Sequence, residues 1–353
     1  MEETKRSISC ISANRGRSFA IKNGRLYAWG DNWGCKLGLG TELGRSPYIS
    51  TPQPIGNRSD WEMVFSRDGQ TLGIRAGELW AWGTFNSTRH ASGGPFPLGG
   101  MFRVSDRSDW EKVSIGGSFT VALAGGRLFQ WANRDTERFG LKHGPASRSI
   151  LQIDESPLWS EIAAGRGHFL AIKDGRLFAW GRNSFGRLGT GDSADRDKPV
   201  QIHSESGWTH VAAEDNQSFA IRNGELYSWG RNNSAQLLDC KRRVLARPEK
   251  ANANRRDFLK ISVEKEHCLA IANGSIFSWG GKEALSGAGG RGSTSMKAVR
   301  VDDSFDWEDV SCGVFHAIAV RDDRLFSWGD NSEGQLGVGD FNSRMVPTEV
   351  FLP

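Results

Sequence analysis

Three histidines recur in this 353-residue chain at one point of a repeated pattern: His168, His267 and His316. Imidazole is the commonest metal ligand, so three of them at one repeated position would form a site if that position faced a common axis. They stand at turns between short strands, where a histidine is expected to bond to neighbouring backbone, and no metal is assigned to them. The segment GAGGRG, Gly287–Gly292, has the spacing of a dinucleotide-binding loop. Such a loop follows a strand and opens a helix. That context is missing, so it reads as a plain loop and no cofactor is expected. The five cysteines, Cys10, Cys35, Cys240, Cys268 and Cys312, are scattered and odd in number, which disfavours a disulfide framework or a zinc site. GxSxG, HExxH and P-loop sequences are absent. No catalytic residue is assigned, and the chain is expected not to be an enzyme.

The charged residues are more informative. Overall charge is mild, with 45 Lys and Arg against 41 Asp and Glu for a net +4, which gives no nucleic-acid signal. Within it, residues 230–256 carry Arg231, Lys241, Arg242, Arg243, Arg247, Lys250, Arg255 and Arg256 against only Asp239 and Glu249. Residues 329–344 carry Asp330, Glu333 and Asp340 against Arg344. The basic residues are the candidate protein-binding site, on a loop long enough to project, and they would steer an acidic partner.

These residues are positioned by a repeat. Trp29, Trp82, Trp131, Trp180, Trp229, Trp279 and Trp328 follow one another at intervals of 49 to 53 residues, and a fixed period near 50 marks a repeat architecture. Each period begins with an anchor residue, Ile8, Trp61, Trp110, Trp159, Trp208, Phe258 or Trp307, at the head of a short strand. A second apolar strand follows, then a two-residue turn such as Asn23-Gly24, Asp174-Gly175 or Asn223-Gly224. Asn-Gly and Asp-Gly between apolar runs favour a type I′ hairpin. A strand such as RLFAW (176–180) comes next, then a Gly-rich loop and a short fourth strand such as PVQI (199–202). Four-stranded units with two apolar faces cannot stand alone. Seven in a ring bury each face against a neighbour, so the expected fold is an all-β, seven-bladed propeller of four-stranded blades. The expected organisation is a single domain over 1–353, with repeats at 7–56, 57–105, 106–154, 155–203, 204–253, 254–302 and 303–353. The last strand, in PTEVFL (347–352), is expected to complete the blade that the N-terminal strand begins and so close the ring. The hairpin turn and the loop after the tryptophan are expected to share one face. The glycines of that loop would let it lie close under its neighbour, and the tryptophans would be core between blades.

The segments WGDNWGCKLGLG (29–40), WGRNSFGRLGTGD (180–192) and WGDNSEGQLGVGD (328–340), with the turn GRGH (165–168), resemble the regulator of chromosome condensation repeat family. The four other copies are degraded. Arg17, Gln70, Phe119 and Gln217 occupy the turn-histidine position where no histidine is present. The resemblance covers the whole chain. It implies a disc that presents loops to a protein partner. Members include Ran exchange factors, a plant ultraviolet-B receptor, enzyme inhibitors, ubiquitin-ligase adaptors and bacterial, phage and viral proteins. The receptor's Gly-Trp-Arg-His cluster is absent, and only Trp33 and Trp80 fall outside the two repeat positions. An exchange factor's wedge would need a long insertion. The interval from the motif tryptophan to the next anchor is 28 or 29 residues in five repeats and 32 from Trp29 to Trp61. The expected function is therefore a non-enzymatic protein-interaction scaffold, a regulatory or a structural component of a virion or appendage. Exchange on a Ran-like GTPase is the alternative. MEETKRSISC has no apolar signal region and no long apolar run follows. The expectation is a cytoplasmic protein, or a virion protein if phage- or virus-encoded.

Overall fold

A computed structural model of the chain describes residues 7–40, 47–84, 100–132, 150–234, 236–238, 242–251, 257–265, 267–281 and 295–353. The motif GAGGRG, together with Cys240, Lys241, Arg255 and Arg256, lies outside the described residues. Seven four-stranded antiparallel sheets are formed, each from four consecutive strands. They are the blades of a propeller, spanning 8–54, 61–103, 110–154, 159–201, 208–250, 258–300 and 307–350. Among the described residues the only helical element is a single 3-10 turn at Ser184–Gly186.

The two-residue turns take the geometry that their sequence predicts. Asn23, Asp174 and Asn223 have φ of 51°, 49° and 48°, and the glycines that follow have 73°, 67° and 74°. Both central residues are left-handed, which matches the twist of the flanking strands. Asp322-Asp323 adopts the same turn without glycine, at 49° and 58°.

Every motif tryptophan is buried between blades. Leu177 and Ala179 face blade 5, in a cluster with Phe219 and Trp229. Trp180 and Phe178 face blade 3, in a cluster with Val121 and Leu128. The loop glycines lie where a side chain would not fit. A Cβ on Gly186 would stand 2.6 Å from Ala246 Cα, and one on Gly189 would stand 2.9 Å from Trp229 Nε1.

Two expectations are corrected. The final strand, Arg344–Val350, pairs with Arg324–Gly329 of its own repeat. The first blade has its own fourth strand, Tyr48–Pro54, paired with Arg25–Asp31. Each blade is thus a continuous run of chain, because the returning strand finds its nearest edge locally. Closure comes from side chains. Asp323 accepts the Ile8 N–H at 2.9 Å, Tyr27 donates to the Pro353 carbonyl at 2.6 Å and Lys22 to the Leu352 carbonyl at 2.8 Å. The second correction concerns faces. In blade 4 the hairpin turn joins Lys173 and Arg176, whereas Gly181 pairs with His168 at the far end of the same strands. The strand crosses the blade between turn and tryptophan, so the long loop leaves on the opposite face. That face, shared by the long loops and the inner turns such as 165–167, is called the loop face below.

Candidate interaction surface

Two of the three histidines, His168 and His316, belong to a clasp between blades; His267 faces Ala317 at the equivalent position of the next blade, which has no hydroxyl. His168 Nε2 lies 2.8 Å from Ser218 Oγ of blade 5. Ser218 donates to the Arg187 carbonyl at 2.7 Å, and Trp229 Nε1 donates to that same carbonyl at 2.9 Å. The hydroxyl has one hydrogen, which goes to the carbonyl, so the imidazole donates to it through Nε2. The junction of blades 7 and 1 repeats the arrangement. His316 Nε2 stands 2.8 Å from Ser18 Oγ, while Ser18 and Trp29 donate to the Gln335 carbonyl at 2.8 and 2.9 Å. Burial pushes His168 well below the usual imidazole range and His316 down to about 4. Both are neutral packing groups. A serine hydroxyl of the next blade is a partner that the sequence did not point to, beside the backbone of Gln217 and Arg17. Gly313 completes a second Gly-x-x-His pair with His316, since a Cβ there would lie 2.6 Å from the ring.

The loop asparagine holds the clasp in place. Asn183 Oδ1 accepts the Leu188 N–H at 2.9 Å, and Asn331 Oδ1 accepts that of Leu336 at 2.9 Å. Those leucines are fully buried, so the carbonyl just before each is aimed at the next blade. The degraded blade-5 loop keeps this device. Asn232 Oδ1 accepts the Leu237 N–H at 3.1 Å, and Trp279 Nε1 donates to the Gln236 carbonyl at 2.7 Å. The first part of the basic segment therefore does pack, although it lacks the Leu-Gly-x-Gly-Asp ending.

The described basic residues run down the outer edge of blade 5. Val244–Lys250 is the fourth strand of that blade, so Arg247 and Lys250 sit on a strand and not on a projecting loop. Asn232 fixes the backbone of the preceding pair, its N–H bonding to the Arg243 carbonyl at 2.8 Å and its Nδ2 to the Arg242 carbonyl at 2.9 Å. Arg242, Arg243, Arg247 and Lys250 are exposed. Arg242 Nη1 bonds to Glu249 at 2.7 Å, and Lys250 bonds to Glu225 at 2.6 Å. Arg231 lies over the Phe185 ring of blade 4, 5.2 Å from its centroid. Ion pairs thus offset part of the charge, and Arg243 and Arg247 carry it outward.

A central cavity of about 710 Å³ runs between the inner strands. Lys112 pairs with Glu161 and Lys260 with Asp309 across neighbouring blades, within a lining that carries more carboxylates than basic groups. Arg67 spans the cavity near the loop face. It pairs with Glu214 of blade 5 at 2.6 Å and donates to the Ala164 carbonyl of blade 4 at 2.8 Å. Glu264, half-buried, is raised to about 8 by desolvation and then by the nearby Glu214. The cluster braces the ring from within. No group of three or more His, Cys, Asp or Glu suited to a metal occurs among the described residues.

The chain carries Regulator of chromosome condensation (RCC1) repeats. Family models of that description match residues 174–221 and 322–353, and residues 159–187 and 307–335. Among curated proteins, the chain is similar to the probable E3 ubiquitin-protein ligase HERC6 of Homo sapiens, 51% identical over 43 residues. It is similar to the serine/threonine-protein kinase Nek8 of Danio rerio, 38% identical over 61 residues. These matches cover 12% and 17% of the chain but only 4% and 9% of the relatives. Human WBSCR16 superposes with a TM-score of 0.80 at 19% identity, covering 93% of this chain and 95% of that one. Prp20p of Saccharomyces cerevisiae superposes with a TM-score of 0.74 at 18% identity, covering 92% and 85%. At these identities the likeness is one of fold. No helix among the described residues is long and apolar enough to cross a membrane.

Proposed function

We propose that the chain is a non-enzymatic protein-interaction scaffold whose basic blade-5 edge receives an acidic partner. One observation carries the reading: the polar groups that look capable of chemistry are committed to packing, while Arg243 and Arg247 remain exposed. An edge of fixed positive charge raises the encounter rate of an acidic partner more than its final affinity. The propellers of similar fold support a protein partner, Prp20p being described by its binding to Gsp1p and histones.

The test uses surface plasmon resonance with an oligo-glutamate peptide as probe. Wild type captures it at a rate that falls steeply with salt. The double variant Arg243→Glu, Arg247→Glu captures it at least several-fold more slowly, with a flatter salt dependence and unchanged melting. Equal capture by both proteins overturns the reading. The alternative, exchange on a Ran-like GTPase, rests on the likeness to Prp20p. It predicts faster release of labelled nucleotide from that GTPase at substoichiometric protein, whereas a scaffold leaves the release rate unchanged.

A further inference from the structure

The central cavity takes its chemistry from the inner strands, which run alike in every blade. In blade 2 that strand is Trp61–Arg67. Trp61 pairs with Arg75 beside the hairpin turn, and Arg67 pairs with Gln70 at the inner turn on the loop face. Residues just after the anchor, such as Glu62 in blade 2 and Glu111 in blade 3, therefore stand at the hairpin-turn end of the cavity. Arg67, Glu214 and Glu264, at the other end of their strands, stand at the loop-face end. The two levels are five residues apart, which is about 16 Å of extended chain.

The ends differ in access. Asn14, Arg67 and Glu214 are buried, and Arg67 reaches across to Glu214 of blade 5 and the Ala164 carbonyl of blade 4. Together they floor the cavity. Glu62, Glu111 and Leu259 line the opposite end and are exposed, so the cavity opens there.

Charge within it is unequal. The lining holds seven carboxylates and three cationic side chains. Each cation has its own carboxylate: Lys112 has Glu161, Lys260 has Asp309 and Arg67 has Glu214. Burial keeps His210 neutral, and its Nε2 donates to the Ile261 carbonyl at 3.1 Å. Beyond these pairs stand Glu62 and Glu111 at the mouth and Glu264 beside the floor. Glu111 accepts the Gly126 N–H at 3.2 Å, which leaves its charge in place. Glu264 accepts a long hydrogen bond from Asn14 Nδ2 at 3.5 Å, and with its titration raised to about 8 it keeps its proton at neutral pH.

Between the two levels lies a band of hydroxyls and apolar groups. Ser12 Oγ accepts the Ser66 N–H at 3.2 Å, and Ser114 Oγ accepts the Ala164 N–H at 3.0 Å. Both serines line the cavity and are only 6% and 5% exposed. Each bond uses one lone pair, so each hydroxyl keeps its hydrogen and a second lone pair for the cavity. Phe65, Ala163 and Ala212 complete the band.

We propose that the cavity binds a linear polyamine, with one terminal ammonium at Glu264 on the floor and the other at Glu62 and Glu111 in the mouth. An extended amine of spermine's length spans the separation of about 16 Å. Its methylene groups lie against Phe65, Ala163 and Ala212, and its inner ammonium groups donate to the hydroxyl oxygens of Ser12 and Ser114. Enclosure strengthens each ammonium–carboxylate pair. A compact cation reaches only one level at a time. This inference is independent of the blade-5 edge, whose Arg243 and Arg247 it does not use.

Isothermal titration calorimetry on the full chain tests it, with spermine as probe. At low salt and pH 7 one spermine is expected to bind per chain, and to bind more weakly as salt rises. Glu264 gives up its proton to pair with the ammonium, so binding is expected to release about one proton, read as a heat that varies with the buffer's ionisation enthalpy. Glu264→Gln copies the protonated side chain and leaves Glu214, Arg67, Asp68 and Lys265, the charged groups around it, in place. It should melt like the parent, bind several-fold more weakly and lose the proton release. Glu62→Gln with Glu111→Gln, at the exposed mouth, should also weaken binding several-fold, whereas Asp174→Asn on an exposed outer turn should not. Putrescine and dodecanediamine carry equal charge, but only the longer reaches both levels, so it should bind several-fold more tightly. No binding of spermine up to about 1 mM overturns the proposal. So do binding that ignores both the floor and the mouth variants, equal binding of the two diamines, and capture of an oligolysine peptide by a chain that leaves spermine free.

Discussion

The junction of blades 4 and 5 and the junction of blades 7 and 1 are built on the same clasp. In both, a buried histidine reaches a serine of the next blade, and that serine and a tryptophan share one loop carbonyl. They differ in two respects. Blades 4 and 5 are joined by continuous chain, whereas blades 7 and 1 are held by side chains and the last two residues. Above the clasp, one junction carries Arg182 and Arg231 and the other Asp330 and Asp31. The clasp is therefore common to both, and the residue above it is set by its own loop: Asp31 accepts the Trp33 N–H and pairs with Lys36, and Asp330 accepts from Ser332 and Gln335.

The largest expected effect comes from breaking the discontinuous junction. Deleting Val346–Pro353 removes most of the outer strand of blade 7 and the two carbonyls bound by Tyr27 and Lys22. It leaves the edge of Arg324–Gly329 unpaired. Differential scanning calorimetry should show a midpoint far below the parent's or a loss of the single transition. A parent-like melt would mean that the clasp alone closes the ring. Truncating the clasp tryptophans comes next. Trp29→Ala and Trp229→Ala each empty a fully buried site, and each should cost about 3–5 kcal/mol in chemical denaturation. Near-equal losses would show that the open junction is as strong as a covalently continuous one. A much smaller loss for Trp29→Ala would break the equivalence.

Removing the shared hydroxyl is a finer probe. Ser18→Ala and Ser218→Ala leave a buried imidazole without its partner and the loop carbonyl with one donor instead of two. Each should cost about 1–3 kcal/mol, again to the same degree at both junctions. If one serine matters and the other does not, the two clasps are alike only in outline.

How much of this was legible follows from what the residues do. The period of the tryptophans and the Asn-Gly turns announced the propeller, because burial between blades and left-handed turns admit few residue types. The loop glycines mark close-packing positions for the same reason. The path of the closing strand was not legible, since nothing in PTEVFL distinguishes pairing with its own repeat from pairing with the first. The face of the long loop is marked by no residue type and follows only from the crossing of RLFAW over the blade between turn and tryptophan. The alternation of Arg182 and Arg231 with Asp330 and Asp31 was present in the aligned repeat but invisible in a count of charge along contiguous segments. That count singled out 230–256, where ion pairs with Glu249 and Glu225 offset part of the excess.

The smallest expected effect at neutral pH is also the one that tests whether the clasp histidines are neutral. His316 titrates at about 4 in the fold, against about 6.5 in an unfolded chain. Below 6.5 the unfolded chain binds a proton that the folded chain does not take up until about 4. Stability should therefore fall as pH drops from 6.5 towards 4 and lose no more from this group below that. His168, also held well below the usual imidazole range by burial, acts in the same direction. His316→Gln keeps a donor that can reach Ser18 and removes the titration, so at pH 7 it should cost no more than about 1 kcal/mol, the net worth of a perturbed hydrogen bond. Urea unfolding across this pH range should then give a shallower acid slope for His316→Gln than for the parent, and His168→Gln should flatten the slope likewise. An unchanged slope in both would mean that the imidazoles are already protonated in the fold, with the serine–carbonyl arrangement reorganised to accept two charged donors.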